Sequence, residues 1–212
     1  GGLSNNNLFK PLVCDLASED EVYKSMNIIQ KEAQSIDALI ACAGILRLGE
    51  LSQMSIKDFD LIFNVNVRGL WLSVSQSMPM LKNASKNSGT ARIVLLSSVS
   101  ALRPKINSGA SSASKAAVSQ LTRVLAVECA KDNILVNAIA PGTVDTPMVR
   151  EQSSPDKQGN WRPSGPSPLG RISNPDDIVK VIKFLLDDNS SYVTGTTIPV
   201  DGGTQAAFIP PI

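Results

Sequence analysis

The sequence predicts one α/β domain, a parallel sheet wrapped by helices. Short apolar runs alternate with longer segments of helical period, which is the pattern of strands joined by helical crossovers. Turn residues punctuate the alternation. The chain has 212 residues, 42% of them hydrophobic, enough for one sizeable core. No internal repeat, low-complexity tract or second domain interrupts it, so residues 1–212 read as a single domain.

Leu8 to Leu16 (LFKPLVCDL) reads as the first strand. Ser18 with Glu21 three residues on is a capping box, and Val22, Met26, Ile29 and Ala33 then recur at helical spacing. A buried strand follows over Ala38 to Ala43. The next helix runs from about Ile56 to Leu81 with an apolar stripe at Phe59, Ile62 and Leu70, and Pro79 predicts an early end or a kink. Arg92 to Leu96 is another buried strand, and a Ser/Pro/Gly-rich connection leads through Gly109. A third helix extends to about Lys131, with Ala117, Leu121, Val124 and Leu125 on one side. Ile134 to Ala140 is a strand closed by Pro141-Gly142. Thr143 to Arg171, with five prolines and no period, reads as a long surface loop over a site. Asn174-Pro175-Asp176-Asp177 is a helix start leading into Ile178, Val181, Ile182 and Leu185. Thr196 to Val200 is the last strand.

Composition excludes several chemistries. The chain has no histidine, so Ser-His and Cys-His pairs and histidine metal sites are absent. Cys14, Cys42 and Cys129 show no C-x-x-C spacing and outline neither a disulfide framework nor a zinc site. A reducing, cytoplasmic setting is expected. The net charge is +1 and no Lys/Arg block occurs, which argues against a nucleic-acid partner. No apolar run approaches the ~20 residues of a membrane helix, and no secretory signal is present.

Four features stand out, each with a plain structural reading beside it. Asp201-Gly202-Gly203 after a strand is a turn. Lys115 lies one helical turn beyond Ser111 on the same face, where an exposed lysine is the ordinary reading. Asn66 shares the stripe of Phe59, Ile62 and Leu70, where an amide is buried only if its hydrogen bonds are met. Ser97 and Ser98 end a parallel strand, the edge at which open α/β sheets place ligands.

In order along the chain, Ala43-Gly44, Asn66, Ser98, Lys115, Pro141-Gly142 and Val200-Asp201-Gly202-Gly203 resemble the short-chain dehydrogenase/reductase family. Within it, Asp37 to Gly49 (DALIACAGILRLG) and Pro141 to Met148 (PGTVDTPM) are most similar to the dehydrogenases that make 2,3-dihydroxybenzoate. The resemblance implies a Rossmann-like, doubly wound parallel sheet. It also implies NAD or NADP as cofactor, hydride transfer between an alcohol and a ketone, and a homo-dimer or homo-tetramer. It places Ser98 as the serine that orients the substrate oxygen, Lys115 as the lysine that binds the nicotinamide ribose, and Asn66 as the asparagine of the proton relay. It puts Asp15 beside adenine, Ala43 and Gly44 along the cofactor, and Pro141, Gly142 and Thr146 near nicotinamide and phosphate.

Three departures accompany the resemblance. The family's tyrosine, four residues before the lysine, is Ser111 here, and neither Tyr23 nor Tyr192 stands near that position. A phenol titrates near ~10 and responds to a neighbouring ammonium, whereas an aliphatic hydroxyl is a far weaker acid. No two glycines are separated by one residue, so no G-x-G-x-x-G phosphate turn occurs. The strand ending at Asp15 corresponds to the family's third, and the expectation is a domain lacking the first two strands and the first helix. Ala41 stands where the family usually has asparagine. The expected function is therefore an NAD(P)-dependent oxidoreductase that is impaired or inactive as written. The alternative is a pseudoenzyme retained for association with itself or a partner. From another class, Ser112-Ala-Ser-Lys115 is the S-x-x-K motif of serine β-lactamases, but its S-D-N and K-T-G companions do not occur.

Overall fold

The computed structural model describes residues 9–151 and 167–207. Four strands form one parallel sheet whose spatial order follows the chain: β1 (Ala38–Ala41), β2 (Ala91–Leu96), β3 (Ile134–Pro141) and β4 (Thr197–Val200). Ile93 of β2 lies opposite Val136 of β3, and Ala138 of β3 opposite Thr197 of β4. Both faces of the central strands are buried, so their sequences read as continuous apolar runs. Ile93, Leu95, Val136 and Ala138 face α3 (Leu70–Ser88) and α4 (Gly109–Cys129). Val94 and Ile139 face α6 (Pro175–Leu186) through Ile178, Ile182 and Leu185. Helices on both faces of a parallel sheet make this a Rossmann-like architecture.

The Leu8–Leu16 strand is not formed. Residues 9–15 carry no strand pairing, Val13 is 96% exposed, and Leu8 lies outside the described residues. An extended segment becomes a strand only when a neighbour accepts its backbone hydrogen bonds, and none of the described strands runs beside it. The segment instead folds back on α1 (Glu19–Glu32), where Cys14 and Leu16 join Val22, Met26, Leu72 and Met80. Ser18 caps α1 by accepting from the Glu21 N–H at 3.3 Å. The reciprocal half of the capping box is missing, because the Glu21 carboxylate accepts from the Asp15 N–H at 2.8 Å.

Other boundaries shift for physical reasons. β1 is an edge strand with Ile40 41% exposed, rather than a buried one. α2 (Ile56–Phe63) passes through a π-helical turn, Asn64–Gly69, into α3, and Pro79 neither ends nor shortens that helix. α3 stops at Gly89, whose φ of 88° is the left-handed C-cap conformation. The buried side of α4 is Ala110, Ser111, Ser114, Val118, Thr122, Ala126 and Cys129, whereas Val124 is exposed. Small hydroxyl residues let this helix sit close against the sheet. The 143–171 loop contains α5 (Pro147–Glu151) and a bridge from Val144 to Ser173, while 152–166 lie outside the described residues. The helix start at Asn174 is as expected, with a reciprocal capping box to Asp177.

Gly69 marks the tightest junction, because a Cβ there would overlap the backbone carbonyl of Leu16. The close approach seats the segment before α1 on the π turn. Gly69→Ala is expected to lower stability by ~1–3 kcal/mol, the cost of forcing extra volume into a packed contact. Thermal unfolding checks this, and an unchanged Tm would mean that the Leu16 segment yields freely.

Candidate active site

The C-terminal ends of the parallel strands deliver the candidate residues to one edge of the sheet, Ala43-Gly44 after β1, Ser97-Ser98 after β2 and Gly142 at the end of β3. The helices α2, α3 and α4 supply the rest. Asn66 sits in the π turn and is completely buried. Its Oδ1 accepts from the Ile45 N–H at 2.8 Å, and its Nδ2 donates to the Ile45 carbonyl and to Ser114 Oγ, both at 3.0 Å. The Ser114 hydroxyl in turn donates to the Ser111 carbonyl at 2.7 Å. An α-helix widened to π geometry over one turn places this amide against the strand exit, and such turns are frequent at functional sites.

Lys115 lies one turn past Ser111 on α4 and runs inward, donating from Nζ to the Leu96 carbonyl at 2.8 Å. Ser97 Oγ returns the tie by donating to the Lys115 carbonyl at 2.9 Å, so the end of β2 and the start of α4 are doubly pinned. An ammonium has three N–H donors. Only one is used by a described protein acceptor. A Cβ built on Gly44 would stand 3.2 Å from both Lys115 Nζ and Asn66 Oδ1. The missing side chain at Gly44 is what lets the cation and the amide flank the same small space. Burial pushes Lys115 down to about 8, an effect only partly countered by the Cys42 thiol. The Cys42 thiol is raised by desolvation and drawn back less strongly by Lys115.

Ser98 caps the short helical turn Val99–Ala101, and its Oγ accepts from the Ser100 N–H at 3.1 Å and from Ser100 Oγ at 3.0 Å. Ser111 is buried, and among the described residues its hydroxyl has no hydrogen-bond partner. Ser112 Oγ shares a 3.1 Å hydrogen bond with Ser108 Oγ while the lysine turns to Leu96. The S-x-x-K pair is therefore not assembled.

The remaining expected residues make backbone and local contacts. The Asp15 carboxylate closes a local turn onto the Ala17 N–H at 2.9 Å. Pro141 pairs with Val200 across β3 and β4, and the Gly142 N–H donates to the Val200 carbonyl at 3.0 Å. The Thr146 carbonyl accepts from the Val149 and Arg150 N–H groups of α5. Near this edge is a cavity of about 380 Å³ walled by Thr143, Arg171, Asp177, Asp201, Gly203 and Thr204, and none of Asn66, Ser98, Ser111 or Lys115 lines it. Arg171 grips Asp177 there through two hydrogen bonds of 2.7 and 3.0 Å, which leaves the Asp201 carboxylate as the other charge on the wall. That guanidinium, with the Asn174 N–H behind it, holds Asp177 down to about 2.

Three contributors escaped the sequence reading. The Ile45 backbone clamps Asn66, and a backbone contact leaves no side-chain signature. Arg103, five residues past Ser98, donates to the carbonyls of Thr204 and Ala207 at 2.6 and 2.9 Å, fastening that loop to the chain beyond β4. Cys42 is the titratable group coupled to Lys115, raising it when ionised. Its place directly before Ala43-Gly44 was the available signal.

Because the native lysine binds its proton less tightly than an unfolded one at 10.5, its cost to stability is full below about 8 and fades as pH rises towards 10.5. Lys115→Met is expected to be more stable than the parent at pH 7, by at most ~3 kcal/mol, and to lose that advantage by pH ~10.5. Denaturant unfolding across this range checks the sign, and an advantage that grows with pH would contradict it.

A family model described as Enoyl-(Acyl carrier protein) reductase matches residues 3–205. A 3-oxoacyl-(acyl-carrier-protein) reductase of Thermotoga maritima is 35% identical over 193 residues, covering 91% of this chain and 76% of the relative. The 2,3-dihydro-2,3-dihydroxybenzoate dehydrogenase of Escherichia coli is 34% identical over 203 residues, covering 92% and 80%. Among solved structures, a 3-ketoacyl-(acyl-carrier-protein) reductase from Brucella melitensis complexed with NADH superposes with a TM-score of 0.82 at 28% identity, covering 92% of this chain and 77% of that one. With the family model spanning nearly the whole chain and the parallel sheet shared, this chain belongs to the short-chain dehydrogenase/reductase family.

Proposed function

We propose that the protein binds NAD(P) and exchanges a hydride with an alcohol or ketone, at a rate lowered by the missing phenol at Ser111. The observation that carries this reading is the Lys115–Gly44–Asn66 arrangement. A largely buried ammonium keeps two N–H groups beyond the one on Leu96, beside a glycine floor that a Cβ would fill. That combination fits a flat, hydroxyl-bearing ligand, and a nicotinamide ribose is one. The relative solved with NADH bound supports the same choice.

Lys115 would hold the ribose hydroxyls, Ala43 and Gly44 would lie along the cofactor, and Pro141, Gly142 and Thr146 would border its nicotinamide end. Asp15 is the adenine-side candidate. Hydride transfer is the chemistry a bound nicotinamide supplies. Ser98 would orient the substrate oxygen, and Asn66, held by three hydrogen bonds, would keep the relay in place. Loss of a positioned phenolic acid is expected to cost ~10²–10⁴-fold.

Ser111 also favours a second reading, a protein kept for association rather than turnover. The partner surface would be the helical face where Trp71, Val124 and Val127 are exposed, meeting a second copy of the chain. Trp71→Glu is expected to shift the protein to monomer in light scattering, and an unchanged mass would refute this interface.

Titration with NADH, read by its fluorescence and by protection from heat, tests the main reading. No change in either signal would overturn it. Ser111→Tyr is expected to raise ketone reduction by at least ~10²-fold. Turnover that appears only in this variant would support the association reading.

A further inference from the structure

We propose that Lys115 itself exchanges the proton with the substrate oxygen in this protein, through one water held beside the Ser111 hydroxyl. The inference rests on the oxidoreductase reading above and gives the acid–base role to a different group.

Ser111 and Lys115 are one turn apart, with Cβ atoms ~6 Å from each other, and a helical side chain leans back over the turn before it. Ser111 is buried, and its hydroxyl is unpaired among the described residues, so it can orient a water but is too weak an acid to supply the proton. Two of the three Lys115 protons are not taken by a described acceptor, one for a ribose hydroxyl and one for the water, and they emerge beside Gly44 and Asn66 Oδ1. The groups around the ammonium are the Leu96 carbonyl from β2, the Asn66 amide from the π turn, and Cys42 after β1. Among the described residues no carboxylate is among the causes that act on it, and Cys42 is a thiol that burial pushes up. With no carboxylate to hold it charged, burial leaves the amine and ammonium forms interconverting near neutrality. This is where a general acid works best.

In ketone reduction the carbonyl carbon receives a hydride from NAD(P)H, which is oxidised to NAD(P)⁺. The carbonyl oxygen takes a proton from the water, the water takes one from the Lys115 ammonium, and the resulting amine is reprotonated from solvent. No other oxidant or reductant is needed.

Two measurements test this. In the free protein, competitive acetylation with acetic anhydride across pH, read by mass spectrometry, should give Lys115 a midpoint near 8, and a midpoint near 10.5 would overturn the proposal. NADH bound beforehand should slow that acetylation; an NADH titration with no response locates the failure in the oxidoreductase reading instead. For turnover, ethyl acetoacetate and cyclohexanone serve as probes, the working probe being the one reduced by Ser111→Tyr. The parent should reduce it with a kcat/KM that is flat below about 8 and falls tenfold per pH unit above. Lys115→Arg, which keeps the charge but does not titrate in this range, should lose at least ~100-fold and the pH limb with it. A parent inactive on a ketone that Ser111→Tyr reduces, or a limb that survives Lys115→Arg, would overturn the proposal.

Discussion

The side-chain amide of Asn66 joins three parts of the chain, the segment after β1, the π turn and α4. Its two ends close on the backbone of Ile45, just past the first strand, while the same nitrogen reaches Ser114 on α4. A buried amide left unpaired costs ~1–3 kcal/mol, so each partner is held to the geometry the amide demands. The π turn puts Asn66 within reach, Gly44 keeps the space beside it clear, and the serine-lined side of α4 allows that helix to approach. Lys115 then arrives from the same helix, pinned to the end of β2 from both its side chain and its backbone.

Much of the framework was legible because its causes are local. The Asn174–Asp177 helix start and the apolar runs of β2 and β3 are written in adjacent residues, and they form where expected. Leu8–Leu16 has the same apolar character but no strand, because pairing is a property of two segments and one segment cannot reveal it. Pro79 misled for a related reason: its rule describes an isolated helix, and α3 is packed against both α1 and the sheet. On α4 the sheet takes Val118, Ala126 and Cys129 with Leu125 beside them, whereas Val124 is left exposed.

The site was legible in its residue types and not in its couplings. Asn66, Lys115 and Gly44 are brought together, while Asp15 and Thr146 make local backbone turns. What the pattern did not carry is the charge environment. Lys115 is a largely buried cation that no carboxylate among the described residues pairs with, and the same desolvation pushes its neighbour Cys42 up. Such a lysine weakens the fold in exchange for a proton that moves easily, the usual balance between stability and activity.

The agreement between sheet order and chain order bears on how the molecule assembles. Among the described residues each strand pairs with the one before it in the chain, so no strand has to be threaded between two that are already joined. Closing a loop costs only slowly more as it lengthens, and here each closure is rewarded at once by a new parallel ladder. The longest ladder, β2 with β3, lies in the middle. The shorter ladders on either side of it, which join the edge strands β1 and β4, are the places where opening and closing cost least.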